Sequence, residues 1–201
     1  AEIMSAAERI LSDASVRHGK IMLAFTPDEE IGAGADLFDV AGFGADFAYT
    51  VDGGALGELE YENFNAASAR VLVRGVNIHP GSAKGKMKNA ILIGMEFHRL
   101  LPPFEDPANT EGYEGFHHLM HFAGSEERAE LVYIIRDHDR AKFEAKKAFF
   151  LRAAEFLNAR FGESTLEIRM SDSYYNMREK IEPHMEIIAR ADEAMRACSV
   201  T

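Results

Sequence analysis

The sequence has few of the residues that several large classes of protein require. Its 201 residues include one cysteine, Cys198, which excludes an internal disulfide framework and a zinc site built from cysteines. Basic side chains are also scarce, since 22 lysines and arginines against 33 aspartates and glutamates give a net charge of −11. Affinity for nucleic acid comes largely from lysine and arginine on phosphates, so this balance disfavours a nucleic-acid partner.

Long apolar runs are absent as well. No stretch approaches the roughly 18 uninterrupted apolar residues that a spanning helix needs, so we expect no membrane partner. The opening Ala-Glu-Ile-Met-Ser lacks the basic and apolar regions of a signal peptide, which favours a cytoplasmic location. With 47% hydrophobic residues, the chain is typical of a globular protein with one sizeable core or two small ones.

The first sixty residues have the pattern of an α/β domain. Residues 20–26 and 47–51 are short continuous apolar runs, which are typical of buried parallel strands. Acidic residues follow each run, Glu29 and Glu30 after the first and Asp52 after the second. Ligands of open α/β sheets bind at the carboxyl ends of strands, so these carboxylates are candidate site residues. A solvated turn, or the acidic start of a helix, also explains them.

From residue 62 to 174 the pattern predicts the order β-α-β-β-α-β. This is the ferredoxin-like arrangement, a four-stranded antiparallel sheet with two helices on one face. The predicted strands are 68–74, 116–122, 129–136 and 165–170, and the predicted helices are 86–101 and 139–161.

Three further expectations concern the helices and the domains. In the helix at 86–101, we expect Met87, Ile91, Met95 and Leu101 to lie near one face. A last helix is predicted from Pro183 to Ala197. The chain is then divided into part of an α/β domain at 1–62, an α+β module at 63–176 and a helix at 177–201 that returns to the first domain.

Several groups of residues together resemble the peptidase T family of tripeptide aminopeptidases, a branch of the two-zinc exopeptidases. They are Thr26-Pro-Asp-Glu-Glu-Ile-Gly32 with Val51-Asp-Gly-Gly54, Asn77-Ile-His-Pro-Gly81 with Asn89, Ile135-Arg-Asp-His-Asp139, and Tyr174-Tyr-Asn-Met177 with Glu182-Pro-His184. The resemblance covers essentially the whole chain, which looks like a central fragment of such an enzyme. It implies that 1–62 and 177–201 belong to the catalytic domain and that 63–176 is a lid or dimerisation domain. Small peptides, above all tripeptides, are then the expected substrates, and the open-edged sheet of the lid is a plausible homodimer surface.

The resemblance also implies roles for three carboxylates. Glu29 would be the general base that takes a proton from a zinc-bridging water and passes it to the leaving amine. Glu30 would ligate one zinc ion and Asp52 the other, in a site that holds two when complete. Zinc lowers the pKa of a bound water to about 7, so that a nearby carboxylate can deprotonate it.

Three residues of the α+β module are implied in substrate binding. The residues that correspond to His79 and Asn89 contact the substrate in the family, the histidine by stabilising the oxyanion of the tetrahedral intermediate. Arg136 would hold the carboxylate at the end of the peptide, for which a planar guanidinium is well suited. Local explanations remain open for two of them, a loop hydrogen bond for His79 and a salt bridge with a neighbouring aspartate for Arg136.

The other histidines of the module resemble a metal cluster in sequence only. In a regularly alternating strand, His117 and His121 share one face and His118 lies on the other. The family gives them no role, so we expect surface or edge positions.

The sequence departs from the family pattern in its metal ligands. The family has an upstream His-x-Asp segment, a bridging aspartate and a downstream histidine, and none of these is found here. Glu30 and Asp52 supply at most one ligand per metal, whereas a zinc site needs at least three from protein. We therefore expect this chain alone to bind zinc weakly and to hydrolyse nothing, and the strand at 20–26 to lack partners for its apolar side chains.

Two hypotheses follow from this combination. In the first, the chain is part of a zinc aminopeptidase that releases the N-terminal residue of tripeptides. In the second, it is an inactive peptide-binding or dimerisation module without catalysis of its own.

Overall fold

The computed structural model describes residues 1–200, except for the side chain of Glu29. The chain forms two units, Ala1–Leu56 and Gly57–Thr201. Each unit has its own pattern of burial, and the sheet lies in the second.

The first unit contains two α-helices and a turn of 3-10 helix. Helix α1 spans Glu2–Ser12, the 3-10 turn spans Glu29–Ile31, and helix α2 spans Val40–Phe43. The side chain of Asp39 caps α2 by accepting a hydrogen bond from the backbone N–H of Gly42.

The strands predicted at 20–26 and 47–51 are wrong, because the described residues of the first unit form no strand. Their apolar side chains are exposed, with Phe25 at 66% and Val51 at 61%, and none of the unit's described residues is fully buried. A strand needs a neighbour for its N–H and C=O groups, and neither run has one here.

The second unit carries the sheet and its helices. In chain order its elements are β1 Asn65–Arg74, a 3-10 turn Pro80–Ser82, α3 Ala90–Leu100, β2 Phe116–Gly124, β3 Arg128–Asp137, α4 Arg140–Phe161, β4 Leu166–Tyr174, α5 Arg178–Ile181, a 3-10 turn Glu182–His184 and α6 Met185–Ala197.

The four strands form one sheet in the order β2-β3-β1-β4, and every neighbouring pair is antiparallel. The central pair is long and regular, since β1 and β3 match from Asn65 opposite Asp137 to Arg74 opposite Arg128. The predicted strands at 68–74, 129–136 and 165–170 are confirmed as parts of β1, β3 and β4.

The core lies between one face of the sheet and helices α3 and α4. Alternate residues of the central strands point into it, including Val71, Val73, Leu131, Tyr133 and Ile135, all fully buried. This alternation follows from the period of two of a strand. Helix α4 begins where predicted, with the side chain of Asp139 accepting from the backbone N–H of Lys142 at 2.8 Å, and ends at Gly162.

The apolar face predicted for α3 is wrong except at Leu101, the residue that follows the helix, which is buried. The buried residues of this helix are Ala90, Ile93, Gly94 and Phe97, whereas Met95 is exposed. These four residues lie at positions 0, 3, 4 and 7 of one stretch of helix, which is the spacing of a single helical face. Small residues take part in it because the helix lies close to the sheet. A Cβ on Gly94 would be 3.0 Å from Cδ1 of Leu131.

A β-bulge interrupts the edge strand β2. Leu119 is opposite Tyr133, but His121 is opposite Val132, so Met120 is an extra residue in the ladder. After the bulge, Phe122 packs against the core and His121 is exposed.

The helix predicted near the end of the sequence is confirmed as the 3-10 turn and α6, although none of its residues is buried. Across the described residues, no helix combines the length and the apolar character needed to cross a membrane.

Candidate functional site

The carboxylates of the first unit lie on loops rather than at strand ends. Glu30 belongs to the 3-10 turn, and both Glu30 and Asp52 are exposed. Oδ1 of Asp52 accepts a hydrogen bond of 2.7 Å from the backbone N–H of Gly53, which is the local turn contact that an Asp-Gly pair favours. The side chain of Glu29, the candidate general base, lies outside the described residues.

These carboxylates do not complete a metal site. Among the described side chains, no three histidines, cysteines, aspartates or glutamates lie close enough together to hold a metal ion. Since a protein zinc site takes at least three such ligands, Glu30 and Asp52 as placed here do not fit zinc by themselves.

His79 follows β1 in an exposed loop and caps the turn Pro80–Ser82. Its Nδ1 accepts a hydrogen bond of 3.2 Å from the backbone N–H of Gly81. In a neutral imidazole the other nitrogen then carries the proton, so Nε2–H is the free donor. The local hydrogen bond considered from the sequence is present, and it orients the ring rather than occupying its donor.

Asn89 is the N-cap of α3. Its Oδ1 accepts a hydrogen bond of 3.2 Å from the backbone N–H of Leu92. The side chain thereby stabilises the helix start, a role that the sequence analysis did not consider although Asn is a preferred N-cap. Its Nδ2 donates to none of the described residues.

Arg136 lies at the end of β3 on the face of the sheet away from the helices. Nη1 donates to the backbone oxygens of Ala67 at 3.2 Å and Ile135 at 2.9 Å. The guanidinium also lies over the ring of Tyr174, 5.6 Å from its centroid. Neither Nε nor Nη2 has a hydrogen-bond partner in the described part of the chain. The salt bridge with a neighbouring aspartate, the alternative left open from the sequence, does not form among those residues.

The structure places His79 and Asn89 beyond the same end of β1 and Arg136 at the other end. Arg136 is opposite Ala66 at the start of β1, whereas His79 and Asn89 follow the other end of that strand. Eight residues of strand separate Ala66 from Arg74, which is about 26 Å at about 3.3 Å per residue. Arg136 and His79 therefore lie at opposite ends of the sheet.

The prediction for the three clustered histidines is partly wrong. His117 is 5% exposed and lies in the core side of β2, whereas His118 and His121 are exposed. The bulge at Met120 places His121 on the face opposite to His117, so the two do not share a face. The described residues include no metal cluster here. The strand is at the edge of the sheet, as expected.

Sequence reasoning missed two features around Arg136. Tyr174 contributes the ring under the guanidinium, and its signal was the motif Tyr174-Tyr-Asn-Met177, to which the sequence analysis assigned no role. The asparagines Asn65 and Asn176 are buried at 2% and 9% exposure beside the same strand ends. Two buried asparagines cannot be recognised from a sequence without knowing that the chain brings them together.

Comparisons with known proteins give the family. Residues 61–165 match the peptidase dimerisation domain. The chain is 55% identical over 201 residues to peptidase T of Halothermothrix orenii, covering all of this chain and 49% of that protein. It is 56% identical over 195 residues to peptidase T of Geobacillus kaustophilus, covering 97% of this chain and 47% of that protein. The chain thus spans about half the length of the curated relatives it matches.

Two solved structures share the fold. A tripeptidase from Staphylococcus aureus aligns with a TM-score of 0.82 at 19% identity, over 98% of this chain and 53% of its own. Aminopeptidase PepT from Bacillus cereus aligns with a TM-score of 0.73 at 23% identity, over 86% of this chain and 47% of its own.

Proposed function

The chain belongs to the peptidase family defined by this dimerisation domain, and on that premise we propose that it acts in an aminopeptidase that releases the N-terminal residue from tripeptides. The similarity to peptidase T along the whole chain supports this assignment. Within it, 1–62 and 177–201 are parts of the zinc-dependent catalytic α/β domain, and 63–176 is the ferredoxin-like lid. The location proposed for the enzyme is the cytoplasm.

The free edge of Arg136 is the observation that carries the proposal. Nη1 is occupied by two backbone oxygens, which fixes the plane of the guanidinium. Nε and Nη2 lie on the adjacent edge, and their two parallel N–H groups match the two oxygens of a carboxylate. Arg136 therefore binds the C-terminal carboxylate of the peptide. Tyr174 holds the guanidinium from one side without competing for these donors.

His79 and Asn89 supply neutral donors to the scissile peptide. The hydrogen bond from Gly81 leaves the proton of a neutral His79 ring on Nε2. This N–H stabilises negative charge that develops on the carbonyl oxygen as the peptide is attacked. The free Nδ2 of Asn89 donates to the substrate while its Oδ1 continues to cap α3.

The metal centre is assigned by residue type and not by geometry. Glu30 would ligate one zinc ion and Asp52 the other. The two ions would supply Lewis-acid chemistry when bound. Because these two carboxylates do not complete a zinc site, the remaining ligands have to come from elsewhere in the peptidase. Glu29 is the general base.

The distance between Arg136 and His79 favours a site shared by two copies. An extended tripeptide spans about 11 Å, whereas the two residues are separated by about 26 Å of strand. One peptide therefore does not contact both in the same copy. A homodimer through the lid, as the dimerisation domain suggests, brings His79 of one copy towards Arg136 of the other.

A second candidate function is an inactive peptide-binding or dimerisation module. The incomplete set of metal ligands among the described residues favours it for the isolated chain. Arg136 and Tyr174 would still hold a carboxylate in such a module.

A chimaera separates the two candidates. This chain replaces the corresponding half of peptidase T from Halothermothrix orenii, and release of the N-terminal residue is followed for trialanine, dialanine and N-acetyl-trialanine. We expect cleavage of trialanine only, and none by the isolated chain. A folded, zinc-loaded chimaera that leaves trialanine intact, beside an active parent enzyme, would reject the peptidase assignment and favour the module.

A further inference from the structure

We propose that a cavity beside α4, away from Arg136, binds a small organic carboxylate with an apolar body. The cavity has a volume of about 300 Å³ and lies between the first half of α4, the start of β2 and the segment after α3. This volume is at the lower end of the range for small-molecule sites, so it suits a ligand of metabolite size. The site is independent of the proposed peptidase activity.

One wall of the cavity is a single stripe of α4. Lys142, Lys146, Phe149 and Arg152 all line it, and their spacing of four, three and three residues puts them on the same face of the helix. The stripe therefore presents three cationic side chains around one aromatic ring. The apolar part of a ligand has Phe149 to pack against, and its charged end has the cations.

Two of these cations form no ion pair within the described part of the chain. Lys146 pairs with Glu105 and lies 3.7 Å from Oδ2 of Asp137. Lys142 and Arg152, in contrast, form no ion pair with any described residue, and Arg152 lies over one face of the Phe149 ring, 5.6 Å from its centroid. With Lys146 neutralised, Lys142 and Arg152 leave the cavity with a positive charge, which selects an anion.

The opposite wall contributes a buried imidazole without a hydrogen bond. His117 is 5% exposed, yet its ring nitrogens bond to none of the described residues, and it lines the cavity. Burial lowers the pKa of this histidine, so at neutral pH the ring is uncharged and keeps one N–H donor. Its ring nitrogens are not among the buried unpartnered atoms of the described residues, which are Oδ2 of Asp137 and Nδ1 of His138, so they are open to the cavity. A carboxylate oxygen in the cavity can therefore accept the N–H of the ring.

The arrangement therefore describes a ligand of a definite kind. The N–H of His117 and the ammonium of Lys142 hold the carboxylate, and Phe149 covers the apolar body. Glu105 repels a second negative charge, so a monoanion is preferred to a dianion. Aryl and alkyl monocarboxylates are the matching class.

Titration of this chain with 3-phenylpropanoate tests the site. The probe is followed by the NMR signals of labelled histidine rings, and 3-phenylpropanamide serves as the neutral analogue of equal size. We expect saturable shifts of the His117 ring with the acid and not with the amide. Equal shifts with both compounds, or shifts that do not saturate, would reject a carboxylate site.

Two variants locate the binding. Lys142→Gln removes an exposed charge from the cavity and should weaken the acid about fivefold, whereas Lys180→Gln removes an equal charge from α5 and should leave the affinity unchanged. His117→Phe keeps an aromatic ring beside Phe150 without the N–H, and binding should be lost while the unfolding transition stays cooperative. Equal affinity in Lys142→Gln and Lys180→Gln, or unchanged binding by a folded His117→Phe chain, would overturn the proposal.

Discussion

The backbone N–H of Asn176 donates to Oδ1 of Asn65 at 3.0 Å, across 111 residues of sequence. Nδ2 of Asn65 donates in turn to the backbone oxygens of Asp137 at 2.9 Å and His138 at 3.0 Å. Nδ2 of Asn176 donates to the same oxygen of His138. These bonds tie the start of β1 and the end of β3 to the segment that follows β4, next to the strand position of Arg136.

The first prediction concerns this asparagine pair. Asn65→Ala removes the acceptor of the Asn176 N–H and the side-chain donor to the backbone oxygen of Asp137, so it should lower the free energy of unfolding by about 3 kcal/mol. Urea unfolding, followed by the signal of the sheet, measures the change. Asn77→Ala is the control, because the side chain of Asn77 is exposed and bonds only to glutamates in solvent. Equal effects of the two substitutions would contradict the role of the buried pair.

The second prediction concerns Arg136 in the chimaera. Arg136→Ala removes the carboxylate donors and should raise KM for trialanine about 30-fold. KM for trialanine amide should change little, because that substrate has no terminal carboxylate. Initial rates over a range of substrate concentrations provide both values. Arg70→Ala, which removes an arginine paired with Glu130 on the same face, is the matched control. An equal rise for both peptides would exclude carboxylate binding by Arg136.

The third prediction concerns Glu29. Glu29→Gln in the chimaera keeps the size of the side chain but removes its basicity, so kcat should fall about 10³-fold. KM and the zinc content should be nearly unchanged. Glu58→Gln, an exposed substitution in the second unit, should keep full activity. Retention of full activity by Glu29→Gln would remove this residue as the base.

The fourth prediction concerns zinc. After equilibration with zinc and removal of the excess, elemental analysis of the isolated chain should find almost none, because Glu30 and Asp52 are too few ligands. The chimaera should retain about two ions per chain if the resemblance to the two-zinc exopeptidases holds. Two ions bound by the isolated chain would show that its own residues form a site.

The fifth prediction concerns pH. Burial is the main cause of the lowered pKa of His117, Lys146 and His98 add to it, and Glu105 and Asp106 oppose it. The unfolded chain therefore binds a proton at this histidine at a higher pH than the folded chain does. The contribution of neutral His117 to the stability of the folded chain is fully present above the pKa of the histidine in the unfolded chain. It is lost as the pH falls towards the lower pKa of the histidine in the folded chain.

Urea unfolding at pH 8 and pH 5.5 measures this dependence. The free energy of unfolding should be lower at pH 5.5 than at pH 8. The difference should be smaller in His117→Phe, which cannot take up the proton. A variant with the same pH dependence as the original chain would show that other groups are responsible.

The sequence was sufficient for elements whose signals are local. The alternation of Val71 and Val73 predicted β1, and the Asp139 cap with Gly162 predicted both ends of α4, because each signal depends on neighbours in the chain. The strands predicted at 20–26 and 47–51 were wrong because a strand depends on residues that are distant in the sequence. An apolar run becomes a strand only beside another strand, and a sequence does not state whether that neighbour is present.

For the candidate site too, local signals were sufficient and placement across the fold was not predictable. Residue types and motifs were enough to select His79 and Arg136, but not to place them at opposite ends of the sheet. That separation follows from the pairing of β1 with β3, which is a property of the whole unit. The burial of His117 was also missed, because one extra residue in β2 changes which side chains face the core.

Met120 therefore gives β2 one residue to spare. Insertions and deletions are usually tolerated in loops and harmful in strands, and the bulge makes β2 an exception for one deletion. Deleting Met120 would leave Leu119 opposite Tyr133, His121 opposite Val132 and Phe122 opposite Leu131, which is an uninterrupted ladder with Phe122 still against the core. The loss of this one codon would remove the bulge without moving a core side chain to the other face of the sheet, whereas the loss of a second residue would reverse the faces on one side of the deletion.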